Sequence, residues 1–134
     1  MNDQLVRSAP LSRVLAASFL LVALWGTLAP YVGRPIGLVV VTQPVVEVVD
    51  HVVPGIAVLG IAFSWLTTGR MSRIGVLAVG LAGMWMTGTH VPLLLQAIEG
   101  GASPAAALFH SVPGIMIFLL ATATIVANTG EDTR

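Results

Sequence analysis

The chain has 134 residues, of which 56% are apolar and only 9% charged, with six basic and six acidic side chains and no cysteine. A soluble domain carries about 25% charged residues, so this composition excludes a water-facing globule, a disordered segment and a nucleic-acid binder. It also excludes a disulfide framework and Cys-ligated metal centres, and leaves a single integral membrane domain over residues 1–134.

A membrane-crossing helix needs about 20 mostly apolar residues. The first such run is Val14 to Gly33, which follows Arg7 and Arg13. Basic residues before an apolar run also open secretory leaders. This run continues past a leader's length, however, and a cut after Ala29 would place Pro30 at the scissile bond, so it reads as a retained helix. Pro35 to Val41 is apolar but too short to cross. The second run spans about Pro44 to Thr68, with Thr42-Gln43-Pro44 as its start and Thr68-Gly69-Arg70 as its stop. The third runs from Ile74 to about Gln96 and ends before Gly100-Gly101. The fourth opens on Ser103-Pro104, an N-cap followed by a first-turn proline, and runs to about Asn128.

Arginine placement sets orientation. Arg7, Arg13, Arg70, Arg73 and Arg134 fall on one side of the four runs and Arg34 on the other. Both termini are therefore expected in the cytoplasm of a cell (inner or plasma) membrane, with residues 34–43 and 97–103 outside.

The two halves resemble each other. Ser12-Arg13-Val14 aligns with Ser72-Arg73-Ile74, and at the same offset Trp25 meets Trp85 and Thr27 meets Thr87. His51-Val-Val-Pro54-Gly55-Ile56 aligns with His110-Ser-Val-Pro113-Gly114-Ile115. Matched Trp, His, Pro and Gly carry more weight here than matched aliphatic residues. The expected fold is all-α: a four-helix transmembrane bundle of two tandem two-helix repeats, about 12–68 and 72–128. Each unit crosses twice, so equivalent residues fall at equal depth.

The string Ala23-Leu24-Trp25-Gly26-Thr27-Leu28-Ala29-Pro30-Tyr31 resembles the motif of the SPW-repeat membrane proteins, which are built from a two-helix unit. Trp25 and Pro30 keep the motif's spacing, while Ala29 and Tyr31 stand for its Ser and second Trp. In the second unit Trp85 is kept and His90 occupies the proline position. The resemblance implies the two-helix architecture and no activity.

Three histidines are the residues most able to carry chemistry. His51 and His110 lie about six residues after the start of their helices and His90 about six before the end of its own, placing all three roughly 9 Å below the outer helix ends. Polar groups in a bilayer face the bundle interior, because a central charge costs roughly 2.5–3.5 kcal/mol. His51, His90 and His110, with Glu47 and Asp50, are thus candidate ligands for a metal ion; His51 and His110 could alternatively clamp a b-type haem. Glu47 lies one helical turn from His51 and can orient its ring. The plainer alternative is a polar layer satisfied within the bundle. Pro54 and Pro113 are expected to free the carbonyls of Asp50 and Phe109, and Gly55 and Gly114 to allow close helix approach. Trp25 and Trp85 are expected between the repeats, and Tyr31 at the membrane interface. Ala78/Ala82, Gly83/Thr87 and Ala123/Ala127 are small-residue pairs suited to helix contact.

Phosphate-binding, nucleophile-elbow and nucleotide motifs are missing from the sequence. The leading expectation is therefore a non-enzymatic accessory or self-associating subunit, as a homo-oligomer or in a larger membrane complex. The alternatives are a metal- or haem-binding protein and an oligomeric proton or small-solute conduit.

Overall fold

The computed structural model describes residues 9–38 and 44–129. Arg7, Arg134 and the Thr42-Gln43 start signal lie outside them, as does the end of the short apolar piece after Pro35. Four helices, Ala9–Val32, Pro44–Thr68, Arg73–Ile98 and the fourth beginning at Pro104, are long and apolar enough to cross a membrane. The fold is the expected all-α four-helix bundle.

The first helix begins earlier than the uncharged run that announces it. Pro10 supplies the preset φ of a first helical turn, and Arg13 is accommodated inside the helix near its end. Gly69, at φ 66°, closes the second helix by donating its N–H to Trp65 O, a conformation only glycine adopts without strain. Ser72 then caps the third helix by accepting from the Gly75 N–H at 3.0 Å. A methyl group on Gly69 would come within 3.2 Å of Ala9 Cβ and 3.6 Å of Arg13 Nε, so the turn lies against the start of the first helix. Arg13, Arg70 and Arg73 therefore share one end of the bundle. The connections after Val32 and Ile98, and Arg34, lie at the other, the histidine end.

The first helix packs chiefly on the second and the third on the fourth. Small residues make this possible, as is usual where lipid removes the hydrophobic drive for helix association. A Cβ on Gly55 would collide with Thr27, and one on Gly114 would come within 2.9 Å of the Thr87 backbone nitrogen. Gly83 lies as close to the fourth helix, with Phe118 N 2.6 Å from its would-be Cβ. Between the pairs sits a core of Phe19, Val58, Met71, Val79, Met86 and Ile117, with Trp65 edge-on to Phe19. The outward faces are apolar: Leu21, Phe63, Ile74, Leu81 and Val126 are among many large exposed side chains.

Two helices depart from continuous α geometry, both at the histidine end. In the second helix Val48–Val52 forms a π-turn, and the Val53 N–H reaches back five residues to Val48 O. In the third, the α-helix stops at Thr89 and resumes as Val91–Ile98. His90 sits at the junction, where Pro92 in the first turn of the resumed helix brings no N–H to the carbonyl four residues back, that of Gly88.

Candidate functional site

All five residues expected to carry chemistry meet at one place. Glu47, Asp50 and His51 from the second helix, His90 from the third and His110 from the fourth line a cavity of about 80 Å³, with Val46, Thr89 and Leu93. Its position is set by the equal depth of three helix ends. The imidazoles are almost fully withdrawn from the surface, at 1%, 7% and 3% exposure for His51, His90 and His110.

The partners of those rings follow from backbone chemistry. Pro30 lies inside the first helix and has no N–H to give the carbonyl four residues back, that of Gly26. His51 Nδ1 donates to Gly26 O at 2.9 Å, from a neighbouring helix. The break at His90 directs that residue's N–H to Gly88 O and Thr87 O rather than to Met86 O. Met86 O is then reached by the His90 ring, through Nδ1 at 2.6 Å, and by the Thr89 hydroxyl at 3.3 Å. His110 Nδ1 donates to Ala106 O of its own helix at 2.9 Å. Each ring is thereby held by one nitrogen on a carbonyl, which leaves Nε2 for other bonds. His51 and His90 use theirs on each other, at an Nε2–Nε2 distance of 2.8 Å. Glu47 Oε2 stands 3.6 Å from His51 Nε2. His110 lies edge-on to His51 with ring centroids 5.7 Å apart.

The second helix corrects the expectation about Pro54. In a regular helix its missing N–H would free Asp50 O. The π-turn shifts that reckoning by one residue. The donor an α-turn would bring to Val49 O is directed to Val48 O, and the donor a π-turn would bring is Pro54, which has none. Trp85 of the third helix donates its indole Nε1–H to Val49 O at 3.3 Å. In the fourth helix Pro113 is buried within a helix that carries no π-turn, so the two prolines are accommodated differently. Each tryptophan touches the other helix pair: Trp85, itself half exposed, reaches Val49 O, and Trp25 packs against Phe109 at 5.8 Å. Tyr31 is exposed at the end of the first helix. Trp25 Nε1 is the single buried side-chain polar atom without a hydrogen bond among the described residues. It borders an apolar groove of Leu21, Leu24, Leu28, Ala29, Val32 and Phe109.

The five residues thus share a cavity, yet among the described residues no group of three or more His, Asp or Glu side chains is placed to hold a metal ion. Two of the three Nε2 atoms are turned on each other at hydrogen-bonding distance. The cavity, at about 80 Å³, lies below the roughly 300 Å³ at which pockets for larger organic ligands begin. Away from the histidine end the hydroxyls are engaged on their own helices, Thr67 on Phe63 O, Thr122 on Phe118 O and Thr124 on Leu120 O.

The residues missing from the sequence-based site are Gly26, Met86 and Val49, all acting through backbone oxygens. A proline four residues after Gly26 was the available signal. No known family model matches the chain, and neither a curated protein nor a solved structure is significantly similar to it.

Proposed function

We propose that this chain is a non-enzymatic subunit of the cell membrane that associates with copies of itself, and that its histidine layer is an interhelical clamp. One observation carries this reading: all three imidazoles are committed to backbone carbonyls, and His51 ties the second helix to both the first and the third. The polar chemistry is spent inside the bundle. What the bundle offers outward is apolar surface, including a groove on the first helix lined by Leu21, Leu24, Trp25 and Leu28. The helix of a second copy can fill that groove and pack on the Trp25 ring.

The orientation follows the arginines. With Arg13, Arg70 and Arg73 cytoplasmic, both termini lie inside and the histidine layer lies on the outer side. The two helix pairs are read as copies of one two-helix unit, in keeping with the SPW-repeat resemblance. The paired contacts Thr27–Gly55 and Thr87–Gly114 support that reading, as do the tryptophans that each cross to the other pair.

Native mass spectrometry of the full chain released from lipid nanodiscs tests the association. A defined oligomer is expected, shifted toward monomer by Trp25→Phe with the helical content unchanged. A monomer at all loadings would contradict the proposal.

A further inference from the structure

We infer that the groove between the second and third helices at the arginine end holds one anionic phospholipid, with an acyl chain along the groove and the phosphate on Arg70. The site is separate from the groove on the first helix that the proposed association uses.

Small residues make the groove. Gly60 and Ser64 of the second helix and Gly75 and Ala78 of the third line a space of about 460 Å³, with Ser72 at its arginine end. A methyl group on Gly60 would meet nothing within 4 Å. The floor is Trp65, 4% exposed, edge-on to Phe19 and with Cζ2 2.7 Å from where a Cβ on Gly75 would stand. Held between Phe19 and the third helix, the indole does not swing out to fill the space. Ile61 and Ile74 border the groove and make its sides apolar. Its length suits a flexible chain, because Gly60 lies about 12 Å in from the end of its helix at Thr68. Ser64, about 6 Å in, and Ser72 bring hydroxyls to the depth at which the glycerol esters of such a lipid would accept hydrogen bonds.

The charge at the mouth selects the head. Arg70 is exposed and lies two residues before Ser72, and Arg73 opens the third helix, whose dipole adds partial positive charge at the same point. The carboxylates of the described residues, Glu47, Asp50 and Glu99, all lie at the other end of the bundle. A guanidinium takes phosphate through two parallel N–H bonds, and basic pockets between membrane helices hold anionic headgroups. A zwitterionic lipid would fit the groove but bring an ammonium group to the arginines. A second copy of this chain, inserted in the same direction, would set its own arginines beside these, and like charges repel. An amphiphile with a negative head and an apolar tail matches both parts of the site.

The test is native mass spectrometry of the delipidated full chain in detergent, titrated with phosphatidylglycerol or with phosphatidylethanolamine of the same acyl chains. One phosphatidylglycerol per chain is expected, bound about fivefold more tightly than phosphatidylethanolamine, which is roughly the worth of one arginine at a charged surface. Arg70→Gln should erase that preference. Gly60→Leu, which fills the groove, should weaken both lipids alike with the helical content unchanged. Equal binding of the two lipids by the wild-type chain, or a preference that survives Arg70→Gln, would overturn the inference, and these two results decide even where Gly60→Leu misfolds. A folded Gly60→Leu chain that keeps its lipid and loses its oligomer would also overturn it, because the groove would then hold a second copy. Preferred lipid on a wild-type monomer would support this site and contradict the association; a wild-type oligomer with no lipid preference would do the reverse.

Discussion

His51 is the residue on which most depends. One ring holds a carbonyl of the first helix and a ring of the third, so truncating it strands two buried partners at once. His51→Ala is expected to cost about 1–3 kcal/mol, the usual penalty for leaving buried polar groups unmet. His110→Ala should cost less, because its Nδ1 bonds a carbonyl within its own helix. Equilibrium unfolding of both variants in the same lipid checks the order, and a His110 variant as damaged as the His51 variant would contradict it. At this scale the sequence was informative about side chains and silent about carbonyls. Equal depth on three helices brought Glu47, Asp50, His51, His90 and His110 together before any contact was known. Gly26 and Met86 were missed because a backbone oxygen has no letter of its own. Only a later proline, or a helix break, marks which oxygen will be left open.

At the scale of single helices, prolines write the exceptions. Pro54 is answered by a π-turn, and the carbonyl left open there is Val49 O, met by Trp85. Trp85→Phe should therefore cost about 0.5–1 kcal/mol. The cost should shrink in a Pro54→Ala background, where residue 54 regains an N–H for its own helix. A double-mutant cycle reads the difference, and strict additivity would break the link between proline and indole. Close approach makes a second prediction. Gly114→Ala puts a methyl group 2.8 Å from Met86 Cβ and 2.9 Å from Thr87 N, whereas a methyl on Gly60 meets nothing within 4 Å. Gly114→Ala should lose about 1–3 kcal/mol by overpacking and Gly60→Ala should be neutral or slightly stabilising. Helix number and most helix ends were legible from apolar runs and glycine stops. The interruption at His90 was not, because the apolar run continues across it; Pro92 held that information.

At the scale of the whole molecule, two helix pairs with apolar outward faces are pinned together near one end. Because the chain crosses an even number of times, activity reporters fused to either terminus should report the same compartment, the cytoplasm. Reporters placed after Gly37 and after Gly101 should report the opposite one. Tails on different sides would dismantle the bundle and its histidine layer alike. Within that frame His51 and His90 hold the second and third helices to each other rather than merely resting side by side. The most direct measurement is the coupling energy from His51→Ala, His90→Ala and the double variant, by reversible unfolding in one lipid. A favourable coupling of about 1 kcal/mol or more is predicted, since contacting buried partners are not additive. Losses that simply add would show two independent rings and contradict the clamp.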